Sequence, residues 1–406
     1  MEHKIIQISN GIRFVYYQAG ANVSHCGMMI GAGSRNDNVD GVAHFVEHMF
    51  FKGTENFSAL ELLNKIELYG GEINAYTSKE ETCYYVSIQN DYVSNAFSVL
   101  SEMLSHSIFK EKELKKERQV ILDELESYND SPAELIFDDF EKNVFEGYSI
   151  GKNVLGTKKS LKNICRDDLI QFVSDNYTTD NIVLSYVGAL PFEYISECIS
   201  SHFSPILKTQ KINSIIKDTK ICATKFKKQV SKKTNQYHCV IGIQTYDMYS
   251  DNRLAQLLLS NIIGGPSFNS LLNLELRENK GISYVVESQY TPFSDTGLFT
   301  IYFGTDEKKS KLCIDIIKNI FDSLSKEVLS NSKFEEYKKQ LVGQLALSVD
   351  NLQNVMINQA KSVLLFNKVK TFNEVVEDIN SISIDTFNLV IKEKLIFENY
   401  SFLIFK

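Results

Sequence analysis

The chain has 406 residues, 43% hydrophobic and 23% charged, with no Trp and five Pro. This is globular composition, and it excludes wholesale disorder and collagen-like repeats. Lys and Arg number 43 against 51 Asp and Glu, and the resulting net charge of −8 disfavours non-specific binding to nucleic acid.

In chain order, the first fourteen residues carry charges at Glu2 and Lys4 and hold no apolar run of signal-peptide length. Lys4 to Ile8 and Ile12 to Tyr17 flank Asn10-Gly11, a two-residue turn signal, and predict a hairpin. A third strand follows from Val23 to Ala32 and runs into a polar loop at residues 34–37. The pattern then predicts a helix over Val42 to Phe51. A second spans Ser58 to Leu68, where Ser58 and Glu61 form a capping box and Gly70-Gly71 stops it. Glu72 to Thr77 and Thr82 to Gln89 predict strands. Asp91 to His106 and Glu111 to Tyr128 have apolar residues three or four apart and predict helices. Pro132 opens another helix. Asp167 to Asn176, Ile182 to Val187 and Glu193 to His202 predict helix, strand and helix. Residues 204–219 are polar and aperiodic and predict a linker. The Lys-rich run beyond it, from Lys220 to Lys233, predicts a solvated strand or loop face.

The second half reads as a degenerate copy of the first. Residues 163–169 parallel residues 381–387 at a shared offset, and the helix near residues 117–128 has a counterpart near 337–348. The expected fold class is α+β, with two similar domains, residues 1–205 and 206–406. Each is expected to be a mostly antiparallel sheet with helices packed on one face. The seven cysteines are scattered, odd in number and without a CxxC pair, which argues against a disulfide framework and for a reducing compartment. No window of 18 uncharged apolar residues exists, so no transmembrane helix and a cytoplasmic location are expected.

The chemistry centres on Gly41 to Met49, which contains His44, Glu47 and His48 as H-x-x-E-H. On a helix His44 and His48 are one turn apart, so both imidazoles can reach one metal ion. Zinc accepts such nitrogens, and a catalytic site keeps one position for water. Glu47 lies beside His48 and suits a base acting on that water. A third ligand is required from another element. Glu124, far downstream of His48 in a strongly helical stretch, is the candidate, since two His and one Glu form a recurrent zinc set. Glu117, two turns earlier on the same face, can hydrogen-bond a ligating His.

The run HFVEHMFFKGT from His44 to Thr54 closely resembles the active-site segment of the pitrilysin/insulinase family of zinc metallopeptidases. Glu124 falls where that family places its third ligand. Gly70 to Ser78, GGEINAYTS, resembles the family's edge strand, where substrate is accepted as an added strand. Leu276-Arg277-Glu278 and Gly281 to Tyr284 resemble its C-terminal Arg/Tyr pair. The resemblance implies that His44, His48 and Glu124 bind one zinc ion per chain. It implies Glu47 as general base with Glu117 in support. Asn74, Ala75 and Tyr76 would hold the substrate backbone, and Arg277 and Tyr284 substrate carbonyls and the oxyanion. It further implies hydrolysis of short or unfolded peptides in a dimeric chamber, like the short processing-peptidase members. A homodimer is preferred to a heterodimer with a related subunit. A non-catalytic, peptide-binding subunit is the alternative. Gly264-Gly265-Pro266 is read as a helix stop rather than a glycine-rich loop.

Overall fold

The computed structural model describes residues 3–210, 221–326 and 329–406. The first half forms β1 (Lys4–Gln7), β2 (Arg13–Gln18), β3 (Val23–Ile30), α1 (Val42–Phe50), α2 (Ala59–Glu67), β4 (Glu72–Thr77), β5 (Thr82–Gln89), α3 (Val93–His106) and α4 (Glu111–Asn129). It continues with α5 (Pro132–Val144), α6 (Lys158–Asn163), α7 (Arg166–Asn176), β6 (Ile182–Gly188) and α8 (Phe192–Phe203). The second half forms β7 (Lys227–Val230), β8 (Tyr237–Thr245), α9 (Arg253–Gly264), β9 (Ser283–Pro292), β10 (Gly297–Thr305), α10 (Glu307–Lys326), α11 (Asn331–Ser348), α12 (Leu352–Phe366), α13 (Phe372–Asn380), α14 (Ile384–Lys394) and β11 (Ser401–Phe405).

The fold is α+β, as expected. Two sheets form, with strand orders β1-β2-β6-β3-β5-β4 and β7-β11-β8-β10-β9. Both are antiparallel except for one parallel pair each, β2 with β6 and β7 with β11. Apart from the extra edge strand β1, the same order and the same parallel pair recur in both sheets and give the internal repeat a three-dimensional meaning. α7 and α14 are its matched helices.

Two compact units result, and neither is continuous in sequence. The first comprises Met1–Glu126, Lys152–Ile216 and Leu347–Thr371; the second comprises Ser127–Gly151, Lys217–Ala346 and Phe372–Lys406. In the first unit, Phe14, Met28, Ile30, Tyr84 and Leu184 face a core closed by α1, α3, α7 and α8. The alternate residues Val15, Met29, Cys83 and Val183 face the other way and pack on Ala360 and Val363 of α12. Period-two alternation thus feeds two layers. At Gly27 the approach of α12 is close enough that a Cβ would lie 2.3 Å from Met356 Sδ. The second unit repeats the plan. Ile241, Phe299 and Ile301 pack with α9, α10 and α14, while Val240, Leu298, Tyr302 and Leu403 pack with Ile136 and Phe140 of α5. Each fully buried aliphatic or aromatic side chain contributes about 1.5–3 kcal/mol.

Of the expected linker, residues 211–219 lie outside the described residues, as does Lys220. Thr209 is pinned to Thr179, whose hydroxyl donates to the Thr209 carbonyl at 2.8 Å. β7, in the Lys-rich run, is an edge strand with Lys227, Lys228 and Gln229 exposed. Gly264 ends α9 and Gly265 caps it, as the sequence predicts. Among the described residues, no helix is long and apolar enough to cross a membrane.

Candidate metal centre

The centre lies within the first unit, on α1 and α4. Polar residues before α1 fasten its start. Asp37 accepts hydrogen bonds from the backbone N–H of Gly41 at 2.6 Å and of Ala43 at 3.0 Å, satisfying donors that the first helical turn leaves unpaired. Gly41 sits at φ +92°, and a Cβ there would lie 2.8 Å from the Leu155 carbonyl oxygen. α1 buries Val42, Phe45, Val46 and Met49 against the first core, which turns His44, Glu47 and His48 toward α4 and β4.

His44 and His48 have ring centroids 4.7 Å apart. Both turn Nε2 toward Glu124, at 3.7 Å from Oε1 for His44 and 3.4 Å from Oε2 for His48. All three residues offer ligand atoms within 4.8 Å of one another. Ligands spaced round a tetrahedral zinc at ordinary bond lengths are separated by about 3.4 Å.

The donor set fits zinc in chemistry as well as spacing. His48 Nδ1 lies 3.2 Å from Glu117 Oε2, and Lys52 Nζ lies 2.8 Å from Glu117 Oε1. An ionised carboxylate only accepts, so Nδ1 carries a proton, and once Nε2 is deprotonated the ring offers that lone pair to a metal. His44 Nδ1 is buried without a hydrogen-bond partner among the described residues, so no acceptor there supports a second ring proton.

Charge reinforces this arrangement. Burial, with the neighbouring His48, lowers His44 to about 4. Burial also pulls His48 down, but the acceptors Glu117 and Glu124, with Glu47 beside them, outweigh it and hold His48 up to about 9. Burial alone would raise Glu117, and the donors His48 and Lys52 bring it below its ordinary value. Glu124 is lowered first by its hydrogen bond with His48. Glu47 moves the other way, raised by burial against the opposing pull of Thr77 and His48.

Asn74, Ala75 and Tyr76 lie on β4, the edge strand beside β5. No strand among the described residues pairs with its outer edge. Ile73 and Ala75 pack toward the first core, and Tyr76 toward the α12 side. Arg277 and Tyr284 belong to the second unit. Arg277 sits in a π-helical stretch, Asn273–Asn279, with its guanidinium 4.7 Å from the Phe268 ring centre. Together with Gly265, Pro266 and Asn273, it and the largely exposed Tyr284 line one cavity of about 300 Å³.

This chain is 32% identical over 377 residues to a Bacillus subtilis protein named uncharacterized zinc protease YmxG, covering 92% of this chain and 91% of that one. Residues 13–158 match the family described as Insulinase (Peptidase family M16). The chain belongs to the insulinase family of peptidases. Residues 163–341 match the companion domain of that family, described as Peptidase M16 inactive domain. The mitochondrial-processing peptidase subunit beta of Dictyostelium discoideum is 27% identical over 400 residues, 94% of this chain and 84% of its own. Among solved structures, a protease from Helicobacter pylori superposes with a TM-score of 0.91 at 20% identity, over 100% of this chain and 99% of that one. At that identity the likeness establishes the insulinase-family fold alone.

Three residues at the centre carry no role in the sequence reading. Asp37 falls in a stretch read only as loop, although a carboxylate ahead of a helix start is a capping signal. Lys52 and Thr77 stand inside the two family blocks, and nothing in residue spacing links either to Glu117 or Glu47. Those links are tertiary.

Proposed function

We propose that this insulinase-family chain is a zinc-dependent endopeptidase that hydrolyses short or unfolded peptides, with one zinc ion per chain held by His44, His48 and Glu124. One observation carries the reading: two imidazoles on α1 and a carboxylate on α4 converge, with a further, partly buried carboxylate, Glu47, on α1 beside His48. A zinc ion held there would supply a polarised water near neutral pH. Glu47 would accept the proton of the attacking water and return it to the leaving amine nitrogen. Glu117, itself paired with Lys52, holds His48 in the tautomer that presents Nε2. The outer edge of β4 receives the peptide as an added strand along Asn74, Ala75 and Tyr76, a mode that reads backbone more than side chains. Arg277 and Tyr284 hold substrate carbonyls and stabilise the oxyanion.

In this reading the chain works as a homodimer that encloses a chamber and excludes folded proteins by size. All seven cysteines are free, which suits a reducing compartment, and we assign it to the cytoplasm. The second reading is a subunit that needs a related partner, and the likeness to a protein named as a subunit favours it.

Digestion of a mixed peptide library, read by mass spectrometry, tests the proposal. Wild type should cleave, while Glu47→Gln and chelator-treated protein should not, with zinc retained in Glu47→Gln. Normal turnover by Glu47→Gln would remove the general-base assignment. No cleavage by zinc-loaded wild type would favour the partner-dependent reading.

A further inference from the structure

Thr77 ends β4, and its hydroxyl donates a hydrogen bond to Glu47 Oε2. We infer that Thr77 is the positioning residue for Glu47, resting on the peptidase reading above: its hydroxyl holds one carboxylate oxygen so that the other faces the reacting water and the side chain stays off the metal. Glu47 is long and rich in rotamers, and it sits on the same turn as the two imidazoles. Left free beside a divalent cation, its carboxylate would swing onto the ion as a fourth protein ligand and close the position that water needs. Among the described residues, no other hydrogen bond is made to the Glu47 carboxylate.

The donor is itself held firmly. Thr77 is β-branched, with restricted χ1, and lies opposite Thr82 where β4 meets β5. The turn beyond it is closed by Ser78, whose N–H donates to the Glu81 carbonyl at 2.8 Å. Glu81 pairs with Lys361 at 2.6 Å, and Glu80 with Arg35 at 2.7 Å. The N–H groups of Ser34 and Arg35 donate to the Ser78 and Lys79 carbonyls at 3.0 and 2.9 Å. Two residues on, Asp37 fastens the start of α1. Donor and acceptor are thus carried by two elements tied to one short loop, so the Thr77–Glu47 contact is set by the frame rather than by chance approach.

The test compares wild type with Thr77→Val, Thr77→Ala and Thr77→Ser, measuring kcat, KM, melting temperature, zinc content and the visible spectrum of the cobalt-substituted protein. Thr77→Val should lower kcat about 10–100-fold, as loss of a supporting hydrogen bond does, with KM within about twofold. Its cobalt bands should shift in position and intensity, because a carboxylate oxygen takes the place of water among the cobalt ligands. Thr77→Ser should restore both kcat and spectrum. Should Thr77→Val fail to fold, Thr77→Ala carries the same expectations. Wild-type kcat and spectrum in the hydroxyl-free variants would overturn the inference. So would a Thr77→Ser variant as impaired as Thr77→Val at equal melting temperature. If zinc-loaded wild type cleaves nothing, the peptidase reading fails separately and the cobalt spectra alone decide the role of Thr77.

Discussion

His48 and His44 are alike in the sequence and opposite in the fold. Three carboxylates hold His48 up to about 9, whereas burial beside that imidazole keeps His44 down at about 4. A metal needs the unprotonated ring at both positions. At pH 7 the metal-free protein therefore binds one proton, at His48, that zinc must displace. The sign follows directly: apparent zinc affinity should rise with pH up to about 9, about tenfold per unit for one displaced proton, and level off above it. Competition with a chelator at pH 7, 8 and 9 checks this, and a flat profile would mean that His48 is already neutral. Residue spacing made His44, Glu47 and His48 legible as one helical turn and put Glu117 and Glu124 on one face of another helix, because periodicity within one helix is a local property; joining the two helices took the family resemblance. Spacing could not make the unequal charge of the two imidazoles legible, since that depends on which carboxylates α4 delivers from far along the chain.

At the scale of elements, first-half boundaries were readable wherever a local signal marks them, while the second half was read chiefly through its repeat. Ser58 and Glu61 form the expected capping box, with Ser58 Oγ accepting from the Glu61 N–H and Glu61 accepting from the Ser58 N–H. The expected hairpin forms, but its register, Lys4 with Tyr16 through Gln7 with Arg13, and the Ile8 N–H donating to the Ile12 carbonyl close it over three residues rather than over Asn10-Gly11 alone. α6 went unread because it is six residues long, too short for a period. α1 is the element on which the site depends most, and its start rests on Asp37. Replacing Asp37 by Ala removes the acceptor for two backbone donors, which for a helix cap costs about 0.5–2 kcal/mol. Denaturant unfolding should show that loss together with weaker zinc binding, as His44 shifts with the first turn. Unchanged stability would mean that water satisfies those N–H groups equally well.

At the scale of the molecule, the repeat was legible as an offset, but the exchange between its halves was not. α5 and α12 occupy corresponding places in the two copies, yet each packs on the sheet of the other half, α5 on β8 and β11 and α12 on β3 and β6. Hydrophobic pattern shows that a helix has an apolar face and is silent on which sheet receives it. A chain ending at residue 205 would lack α12 and expose Val15, Met29, Cys83 and Val183. It should bind a hydrophobic dye strongly and melt without cooperativity, checked by fluorescence and calorimetry beside the full chain. A cooperative transition at the full-length temperature would mean that the first sheet needs no second layer. The proposed homodimer predicts twice the chain mass in light scattering at micromolar concentration, and a fully active monomer would remove it.

The placement of α12 also bears on synthesis. The first sheet has all its strands once Gly188 is made, but the helix that seals its far face ends at Phe366. At ordinary elongation rates of about 5–20 residues per second, that interval lasts roughly 10–40 s. Throughout it Val15, Met29, Cys83 and Val183 have been made and the helix that covers them has not. Demand for chaperones should therefore peak midway through translation and vanish once α12 has emerged and docked.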